Sequence, residues 1–370
     1  MKKQLNTALK NACESGVADG VCSGVSAAVS VVGNKLRYRG MFACGSTRSD
    51  HLARQVDLTT LFDLASLTKP LCTTLCTLAL INAGRLRWES TALRELSADT
   101  SPEKSAITIR DILHHASGLP AYQPYFQRFE PYATPENIPC LHRHILAETL
   151  VHPLGSKCLY SDLGFILLGR LLEQKARQPL ELFFQQTVTG PLRLDRCLGF
   201  LPVGSIDQGE KEKIAATELC PWRHRVIQGE VHDEHCWLMG GVAGHAGLFG
   251  TAEAVLTLGE CLLDCWLGKT HHPAFSHQLL RYALEWSDDS GQWALGFDRP
   301  TPGQSSSGRH FSPNSVGHLG FTGTSLWMDP ERELVVVLLT NRVHPSRENL
   351  KIRSFRPFFH DYLLEKMGMA

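Results

Sequence analysis

Two side chains one helical turn apart could supply a nucleophile and its base. The segment Ser66-Leu67-Thr68-Lys69 places a serine and a lysine three residues apart, just before an apolar run. On a helix, residues with this spacing lie on one face, so the Lys69 amine can reach the Ser66 hydroxyl. A serine hydroxyl is a weak nucleophile until a neighbouring base accepts its proton. We expect burial and the positive helix N-terminus to lower the pKa of Lys69, which would make it such a base.

The same Ser-x-x-Lys spacing occurs a second time, from Ser101 to Lys104, so the context has to distinguish the two copies. Ser101 lies in a polar stretch, whereas Ser66 begins a run that predicts a buried helix over residues 66–83. At the start of that helix the Ser66 N–H could also donate to a developing oxyanion. The alternative is that Ser66 only caps the helix and that Lys69 is solvated.

A tyrosine further along the chain fits the same chemistry. Tyr160 belongs to Tyr160-Ser161-Asp162, which opens a helix predicted over residues 162–176. A phenol beside a lysine can become a general base, because the adjacent positive charge lowers its pKa. The alternative is a tyrosine packed at a helix start, with Ser161 or Asp162 as the N-cap.

The third segment with chemical potential is a glycine-containing strand predicted over residues 316–328. Side chains alternate along a strand. Four residues of this segment are therefore expected on one face: His318, Gly320, Thr322 and Thr324. Glycine within a strand lets another backbone or a substrate approach closely. The alternative is a strand weakened by glycine that carries an exposed histidine.

The composition is that of an ordinary globular protein. The chain has 370 residues, of which 43% are apolar and 20% charged. Its 37 Lys and Arg balance 37 Asp and Glu, so it lacks the basic excess that displaces counterions from nucleic acid, and no nucleic-acid partner is expected. No run of about 18 apolar residues predicts a membrane span. Two lysines near the start are not followed by the apolar region of a signal peptide, so a cytoplasmic location is expected.

Strands are predicted near both ends of the chain, with helices between them. A hairpin is predicted over residues 24–43 and a buried strand over residues 333–340. This order predicts a sheet domain built from residues 1–85 together with 246–370. Residues 86–245 would form a mainly helical insert domain.

No metal and no cofactor are expected. The 12 cysteines include no Cys-x-x-Cys pair, and histidine pairs such as His114-His115 have no partner cluster at metal-ligand spacing. A metal-assisted hydrolase is kept as a further hypothesis, and its candidate ligands are His232, Asp233, His235 and His245.

Taken together, the motifs resemble the serine hydrolases of the class C β-lactamase and penicillin-binding-protein superfamily. That family carries Ser-x-x-Lys, Tyr-x-Asn and a Lys/His-x-Gly strand, in this order. The resemblance spans most of the chain and includes the segments 109–119 and 244–249. It implies a β-lactamase/transpeptidase-like α+β fold, in which helices flank an antiparallel sheet beside an all-helical domain.

The resemblance also implies roles for individual residues. Ser66 would be the acylated nucleophile, and Lys69 and Tyr160 would share the proton transfers. His318 would stand at the position of the family's lysine, and the N–H groups of Ser66 and Phe321 would form the oxyanion hole. Further residues expected at the substrate site are Asp162, Gly320, Thr322 and His245.

Three positions depart from the family pattern. Asp162 stands where the family has asparagine, His318 replaces lysine, and Leu319 replaces a hydroxyl residue. Each change weakens recognition of a carboxylate, so a less anionic ester or amide is expected to fit best. The expected function is a serine hydrolase that acts through an acyl-enzyme on a small-molecule acyl substrate: an ester, an amide, a β-lactam or a peptidoglycan-derived peptide. The alternative is a catalytically silent ligand-binding or sensor module on the same fold.

Overall fold

The computed structural model describes residues 2–33, 35–96, 101–288 and 291–370. Its strands are β1 (Gly24–Gly33), β2 (Leu36–Gly45), β3 (Phe62–Asp63), β4 (Leu198–Phe200), β5 (Leu219–Cys220), β6 (Arg225–Val226), β7 (Leu248–Gly250), β8 (Val316–Leu319), β9 (Ser325–Asp329) and β10 (Leu334–Thr340). Five of them form an antiparallel sheet in the order β2-β1-β10-β9-β8, so the sheet draws its strands from both ends of the chain. A three-stranded sheet, in the order β3-β7-β4, lies next to the segment that carries Ser66.

Helices cover the sheet and fill most of the middle of the chain. They are α1 (Lys2–Ala18), α2 (Leu75–Asn82), α3 (Ala92–Glu95), α4 (Pro102–Ser105), α5 (Ile109–Leu113), α6 (Asn137–Ala147), α7 (Asp162–Ala176), α8 (Leu180–Phe184), α9 (Gln208–Lys211), α10 (Glu234–Leu238), α11 (Ala252–Trp266), α12 (His277–Glu285) and α13 (Ile352–Lys366). Among the described residues, no helix combines the length and the apolar character that crossing a bilayer requires.

Side chains of the central strands alternate between the two faces of the five-stranded sheet. Each face packs against a layer of helices, so both faces are buried. Val29 and Val336 pack with α1 and α13 on one face. Val335 and Val337 pack with α11 on the other. The predicted α+β architecture, an antiparallel sheet flanked by helices, is confirmed.

Several predicted elements are confirmed, including the hairpin of β1 and β2 and the buried strand β10. Helix α7 has the predicted bounds. The domain boundaries near residues 86 and 245 stay a prediction.

The strand predicted over residues 316–328 is in fact two strands, β8 and β9, joined by a tight turn. In this turn the Gly320 N–H donates to the Thr324 carbonyl at 2.8 Å. Gly323 has a φ of 106°, a backbone conformation that side-chain-bearing residues rarely adopt. The predicted alternation of side chains on one face is therefore wrong beyond Leu319.

The helix predicted over residues 66–83 is not a uniform α-helix. It starts as a 3-10 turn over Ala65–Leu67, continues as a π-helical turn over Lys69–Thr74, and becomes α-helical only in α2. Within the wide turn the Thr74 hydroxyl donates to the Lys69 carbonyl at 2.9 Å. Such π-helical turns occur frequently at functional sites.

Candidate active site

The Ser66 hydroxyl lies next to the Lys69 amine, as their spacing predicts. The distance from Lys69 Nζ to Ser66 Oγ is 3.1 Å. The same Nζ donates to Asp162 Oδ1 at 2.6 Å and to the His245 carbonyl at 3.1 Å. Lys69 is fully buried, so these three acceptors replace the water that an ammonium group would otherwise bind.

The charge state of Lys69 differs from the sequence-based expectation. Burial by itself lowers the pKa of Lys69, but its interactions with Asp162 and Tyr160 oppose this effect, and the pKa is raised overall. Lys69 is therefore an ammonium group at neutral pH, and the expectation of a lowered pKa is wrong. The cause is the Asp162 carboxylate, which is 93 residues away in the sequence but in contact with Lys69 in the fold.

The Tyr160 phenol faces the same two residues. The Tyr160 ring centroid lies 4.8 Å from Lys69 Nζ. Burial raises the pKa of Tyr160, whereas its interactions with Lys69 and Ser66 lower it. The negative charge of Asp162 adds to the effect of burial, so the pKa is raised overall. The expectation of a lowered pKa is therefore wrong, and the resting site contains a neutral phenol beside an ammonium group.

His115 positions Tyr160, a role that sequence analysis did not assign. The two rings lie 4.7 Å apart between centroids. His115 Nδ1 accepts a hydrogen bond from the Ser161 N–H at 3.2 Å, and its carbonyl accepts one from Leu159 at 2.8 Å. His115 thus binds the backbone on both sides of Tyr160. The predicted family segment 109–119 contains His115, but only the fold shows what it contacts.

The backbone immediately before Ser66 adopts an unusual conformation. Ala65 has a φ of 48°, in the left-handed region that is costly for residues with a side chain. The Asp63 carboxylate holds this turn, because it accepts hydrogen bonds from the N–H groups of Ala65 at 2.8 Å and of His232 at 2.7 Å. The surrounding structure therefore fixes the direction in which Ser66 points.

Thr322 and Thr324 support the same turn from the opposite side. The Thr322 hydroxyl donates to the Asp63 carbonyl at 2.7 Å, and the Thr324 hydroxyl donates to the Leu64 carbonyl at 3.0 Å. A Cβ on Gly320 would lie 2.6 Å from the Leu64 oxygen, so only glycine fits there. Thr322 is buried, and its hydroxyl is used within the protein. The prediction that Thr322 contacts the substrate is therefore wrong; Thr322 is a positioning residue.

We expect Thr322→Val to reduce stability moderately and turnover severalfold. The change leaves the buried Asp63 carbonyl without this donor, which costs about 1–3 kcal/mol of unfolding free energy. Because Asp63 and Ala65 set the direction of Ser66, kcat should fall more than KM changes. Thermal denaturation and steady-state kinetics measure both effects.

Thr77→Val is the matched control for this substitution. Thr77 is equally buried, and its hydroxyl donates to the Thr73 carbonyl at 2.7 Å. Its loss should cost stability but leave kcat unchanged. Equal kcat values for the two variants would contradict a positioning role for Thr322.

Two backbone N–H groups of residues that line the cavity have no hydrogen-bond acceptor within the described ranges. These are the N–H groups of Ser66 and Phe321, for which the described parts of the chain provide no hydrogen-bond partner. The Phe321 ring centroid lies 4.5 Å from the Arg342 guanidinium and 5.5 Å from the centroid of the His232 ring. Arg342 Nε also donates to the Phe321 carbonyl at 2.8 Å, so this peptide is held firmly. The arrangement suits an oxyanion hole, which stays a prediction.

His318 lies in the cavity wall as a neutral imidazole. Its Nδ1 is 2.8 Å from the Leu319 carbonyl, and since a carbonyl only accepts, Nδ1 carries the proton. Burial and the nearby Lys69 charge lower the pKa of His318 to about 3. The expectation of a pH-dependent positive charge here is therefore wrong for the neutral range.

The buried His318 should make stability depend on pH. Its pKa is about 3 in the folded protein and about 6.5 in the unfolded chain. The unfolded state therefore binds more protons between these values, and stability that is complete above pH 6.5 is lost as pH falls toward 3. In His318→Gln the free energy of unfolding should decline less over this range, as measured by urea denaturation at each pH.

His51→Gln is the control for this experiment, because His51 is exposed. It should keep the wild-type pH dependence. A His318→Gln variant with the same dependence as the wild type would show that His318 is not held neutral by the fold.

His245 contributes its backbone to the site through the carbonyl that accepts from Lys69. Its ring Nε2 lies 2.8 Å from Asp233 Oδ1, which also accepts from the Cys236 N–H at 2.8 Å. The His245 charge lowers the pKa of Asp233 well below its usual range, against the opposing effect of burial. His245 lines the cavity as predicted, with its side chain tied to Asp233.

The ligands of the metal-assisted hypothesis do not come together. His232 Nε2 pairs with Glu218 Oε2 at 3.1 Å, and His235 Nε2 accepts from the Phe126 N–H at 3.3 Å. Within the described ranges, no metal-ligating group contains these two histidines together with Asp233 or His245. The structure thus gives this hypothesis no support.

A cavity of about 660 Å³ opens above Ser66 and carries charges of both signs. Three of its four acidic residues are paired: Asp162 with Lys69, Asp233 with His245, and Glu234 with Arg347. The fourth, Asp298, has no ion-pair partner within the described ranges, and burial raises its pKa to about 7. Arginines also line it, namely Arg342, Arg347, Arg353 and Arg356. In the part of the chain that the structure describes, no carboxylate lies within ion-pair distance of Arg353 or Arg356.

These arginines are functional candidates that sequence analysis missed. Arg356 is buried, and its Nη2 donates to the carbonyls of Gly320 at 2.7 Å and Thr324 at 3.0 Å. Burial and the charge of Arg342 lower the pKa of Arg356 to about 9. Arg353 and Arg356 lie one helical turn apart on α13, but nothing in their spacing indicates that α13 borders the Ser66 cavity.

Comparison with known proteins agrees with this geometry. The profile of the family described as Beta-lactamase matches residues 9–356. The chain is 31% identical over 309 residues to the N-acetylmuramyl-L-alanine amidase of Bacillus subtilis (strain 168), covering 77% of this chain and 68% of the relative. It is also 31% identical over 309 residues to a putative D-alanyl-D-alanine carboxypeptidase of Escherichia coli O157:H7, covering 77% and 70%. A class C beta lactamase structure superposes with a TM-score of 0.73 at 15% identity, covering 98% of both chains.

The resemblance drawn from the motifs is thereby confirmed. The profile match covers nearly the whole chain, and the order of Ser66, Tyr160 and His318 along the sequence is the order in which the family carries its motifs. The chain belongs to the beta-lactamase family of hydrolases.

Proposed function

We propose that the protein is a serine hydrolase that forms an acyl-enzyme on Ser66. The observation that carries the proposal is the contact of 3.1 Å between Ser66 Oγ and Lys69 Nζ below an open cavity, with Tyr160 against both. The buried Lys69 ammonium group lies next to both a serine and a phenol. It is well placed to stabilise the negative charge that develops when either hydroxyl loses its proton.

In the proposed mechanism Tyr160 moves the proton and Lys69 keeps its charge. The phenolate form of Tyr160, stabilised by the Lys69 ammonium, accepts the Ser66 proton as Oγ attacks the acyl carbon. The N–H groups of Ser66 and Phe321 bind the oxyanion of the tetrahedral intermediate. Tyr160 then gives the proton to the leaving amine or alcohol. A water molecule attacks the acyl-enzyme in the same way, with Tyr160 accepting its proton and returning it to Ser66.

We further propose an amide substrate that carries an anionic group, such as a peptidoglycan-derived peptide. The relatives bear the names of an amidase and a carboxypeptidase. Arg353 and Arg356 place positive charge in the cavity wall without acidic partners in the described chain. This charge offsets the loss of the family's lysine at His318. The proposal therefore revises the expectation of a less anionic substrate; a neutral ester is its rival.

Covalent labelling tests the proposal. We expect a fluorophosphonate or a penicillin to add once per chain, as measured by intact mass, and Ser66→Ala to abolish the adduct. Ser101→Ala is the matched control, because Ser101 has the same Ser-x-x-Lys spacing but caps α4 by accepting the Lys104 N–H at 3.5 Å. It should label like the wild type. Folded wild-type protein that forms no adduct with either reagent would contradict the proposal.

A panel of substrates then separates the remaining possibilities. Short-chain esters, nitrocefin, D-alanyl-D-alanine peptides and muramyl-peptide amides are compared at equal concentration. The proposal predicts the highest kcat/KM for an anionic amide. Ligand-induced thermal stabilisation without turnover of any substrate would instead favour the silent binding module.

A further inference from the structure

We propose that His114, Cys158 and Asp288 form a binding site for a thiophilic divalent cation of the zinc class. One ligand atom from each side chain lies within 4.8 Å of the others. Asp288 Oδ2 is 2.9 Å from His114 Nε2 and 3.4 Å from Cys158 Sγ. Three elements that are distant in the sequence thus place an imidazole, a thiol and a carboxylate around one point.

The separations and the chemistry of the donors fit a tetrahedral ion. Zinc binds nitrogen and oxygen at about 2.0–2.2 Å and sulfur at about 2.3 Å, so tetrahedral ligand atoms lie roughly 3.3–3.8 Å apart. Of the two measured separations, 3.4 Å between Asp288 and Cys158 lies within this range and 2.9 Å between Asp288 and His114 lies below it. Small side-chain rotations would therefore accommodate the ion. A thiolate with an imidazole favours zinc over magnesium or calcium, which prefer oxygen ligands.

His114 supplies an independent indication of a ligand. Its side chain is only 6% exposed, and neither ring nitrogen has a hydrogen-bond partner in the described structure. Nε2 is close to Asp288 Oδ2, but the two are not aligned as a hydrogen bond. Buried imidazole nitrogens are normally satisfied, and an ion between these side chains would satisfy Nε2.

The other two ligands meet the remaining requirements of such a site. Asp288 Oδ1 accepts from the Gly291 N–H at 3.2 Å, and outer hydrogen bonds of this kind orient ligating carboxylates. The Asp288 side chain is 37% exposed and Cys158 is half-buried, so an ion can enter from solvent and a water molecule can complete its coordination.

A second cluster of metal-ligand types, formed by Glu218, Cys220 and Glu234, is a weaker candidate. It is entirely buried, and Arg347 already binds both of its carboxylates. The positive charge that a metal ion would supply is present there as a guanidinium group.

The three residues of the proposed site do not line the Ser66 cavity, but two of them are close to Tyr160 and its neighbour His115 in the sequence. Cys158 precedes Tyr160 by two residues, and His114 precedes the His115 ring that packs on Tyr160. A bound ion would therefore connect the turn that carries His115 to the segment that carries Tyr160. We expect it to stabilise the fold around the phenol without competing with substrate.

Metal binding is measured directly, on the Ser66→Ala chain as well as the wild type, so the result does not depend on catalysis. Equilibrium dialysis with zinc should give about one tightly bound ion per chain, and cadmium should produce the ultraviolet absorption of a metal–thiolate bond. Cys158→Ser and His114→Gln should each weaken binding by at least about tenfold. Zinc should raise the Tm of the wild type but not that of Cys158→Ser.

Two control variants test the specificity of this result. Cys197→Ser removes an exposed cysteine, and Cys140→Ser removes a thiol 3.9 Å from His144 Nε2. Both should bind zinc like the wild type. Circular dichroism establishes that each variant is folded. The proposal would be overturned if the wild type bound no zinc at micromolar concentration. It would also be overturned if Cys158→Ser and His114→Gln each bound zinc as tightly as the wild type.

Discussion

Tyr160→Phe is expected to lower kcat by about a hundredfold to ten-thousandfold, the range that removal of a general base or acid usually produces. The substitution deletes one oxygen, which in the proposed mechanism carries the proton from Ser66 to the leaving group. The ring should keep its packing on His115 and Trp293, whose centroids lie 4.7 and 5.7 Å away. Since burial keeps the phenol neutral at rest, its loss leaves no unpaired charge. Single-turnover acylation and steady-state turnover measure the effect.

Tyr125→Phe provides the matched control. Tyr125 is a buried tyrosine outside the cavity, and its hydroxyl donates to Glu148 Oε1 at 2.8 Å. It should cost some stability and leave kcat within the wild-type range. If Tyr160→Phe retained kcat within about threefold of the wild type, the proton would have to move through Lys69, and the ammonium assigned to Lys69 would be incorrect.

The sequence was most informative where the contacts are local or belong to a motif. Ser66 and Lys69 are one turn apart, so their contact follows from backbone geometry even though the turn is partly 3-10 and partly π-helical. The placement of Tyr160 and His318 beside them came from the family resemblance. No periodicity of the chain brings together residues so far apart in sequence.

The pKa directions could not be predicted because each is a balance of opposing effects. Burial lowers the pKa of Lys69 and raises that of Tyr160, whereas their mutual attraction acts in the opposite sense. Asp162, which lies 2.6 Å from Lys69 Nζ, raises both values. The sequence alone predicts Asp162 only as a group that faces the substrate.

The turn between β8 and β9 shows why the roles of individual residues were harder to predict than the elements. A strand pattern continues through Gly320 and Thr322, but Gly323 allows the chain to reverse there. The reversal directs the Thr322 hydroxyl to the Asp63 carbonyl instead of the cavity. Whether a threonine faces substrate or supports the nucleophile thus depends on a single glycine conformation.

Asp162→Asn is expected to move the ascending limb of the pH profile of kcat/KM to lower pH. In the proposed mechanism activity rises with pH as Tyr160 ionises. Asp162 raises the pKa of Tyr160 and that of Lys69, so replacing its charge with a neutral amide lowers both. Kinetics from pH 5 to 10 measure the shift.

The asparagine also restores the residue that the family pattern has at this position, so its amide oxygen can still accept from Lys69. Asp195→Asn is the control, because it removes an exposed carboxylate away from the cavity and should keep the wild-type profile. Thermal denaturation at each pH separates loss of fold from loss of activity, since Lys69 loses its charged partner in the asparagine variant. A limb that stays in place or moves to higher pH would show that Asp162 does not set the pKa of the catalytic base. The departure from Tyr-x-Asn would then have to act on the substrate rather than on proton transfer.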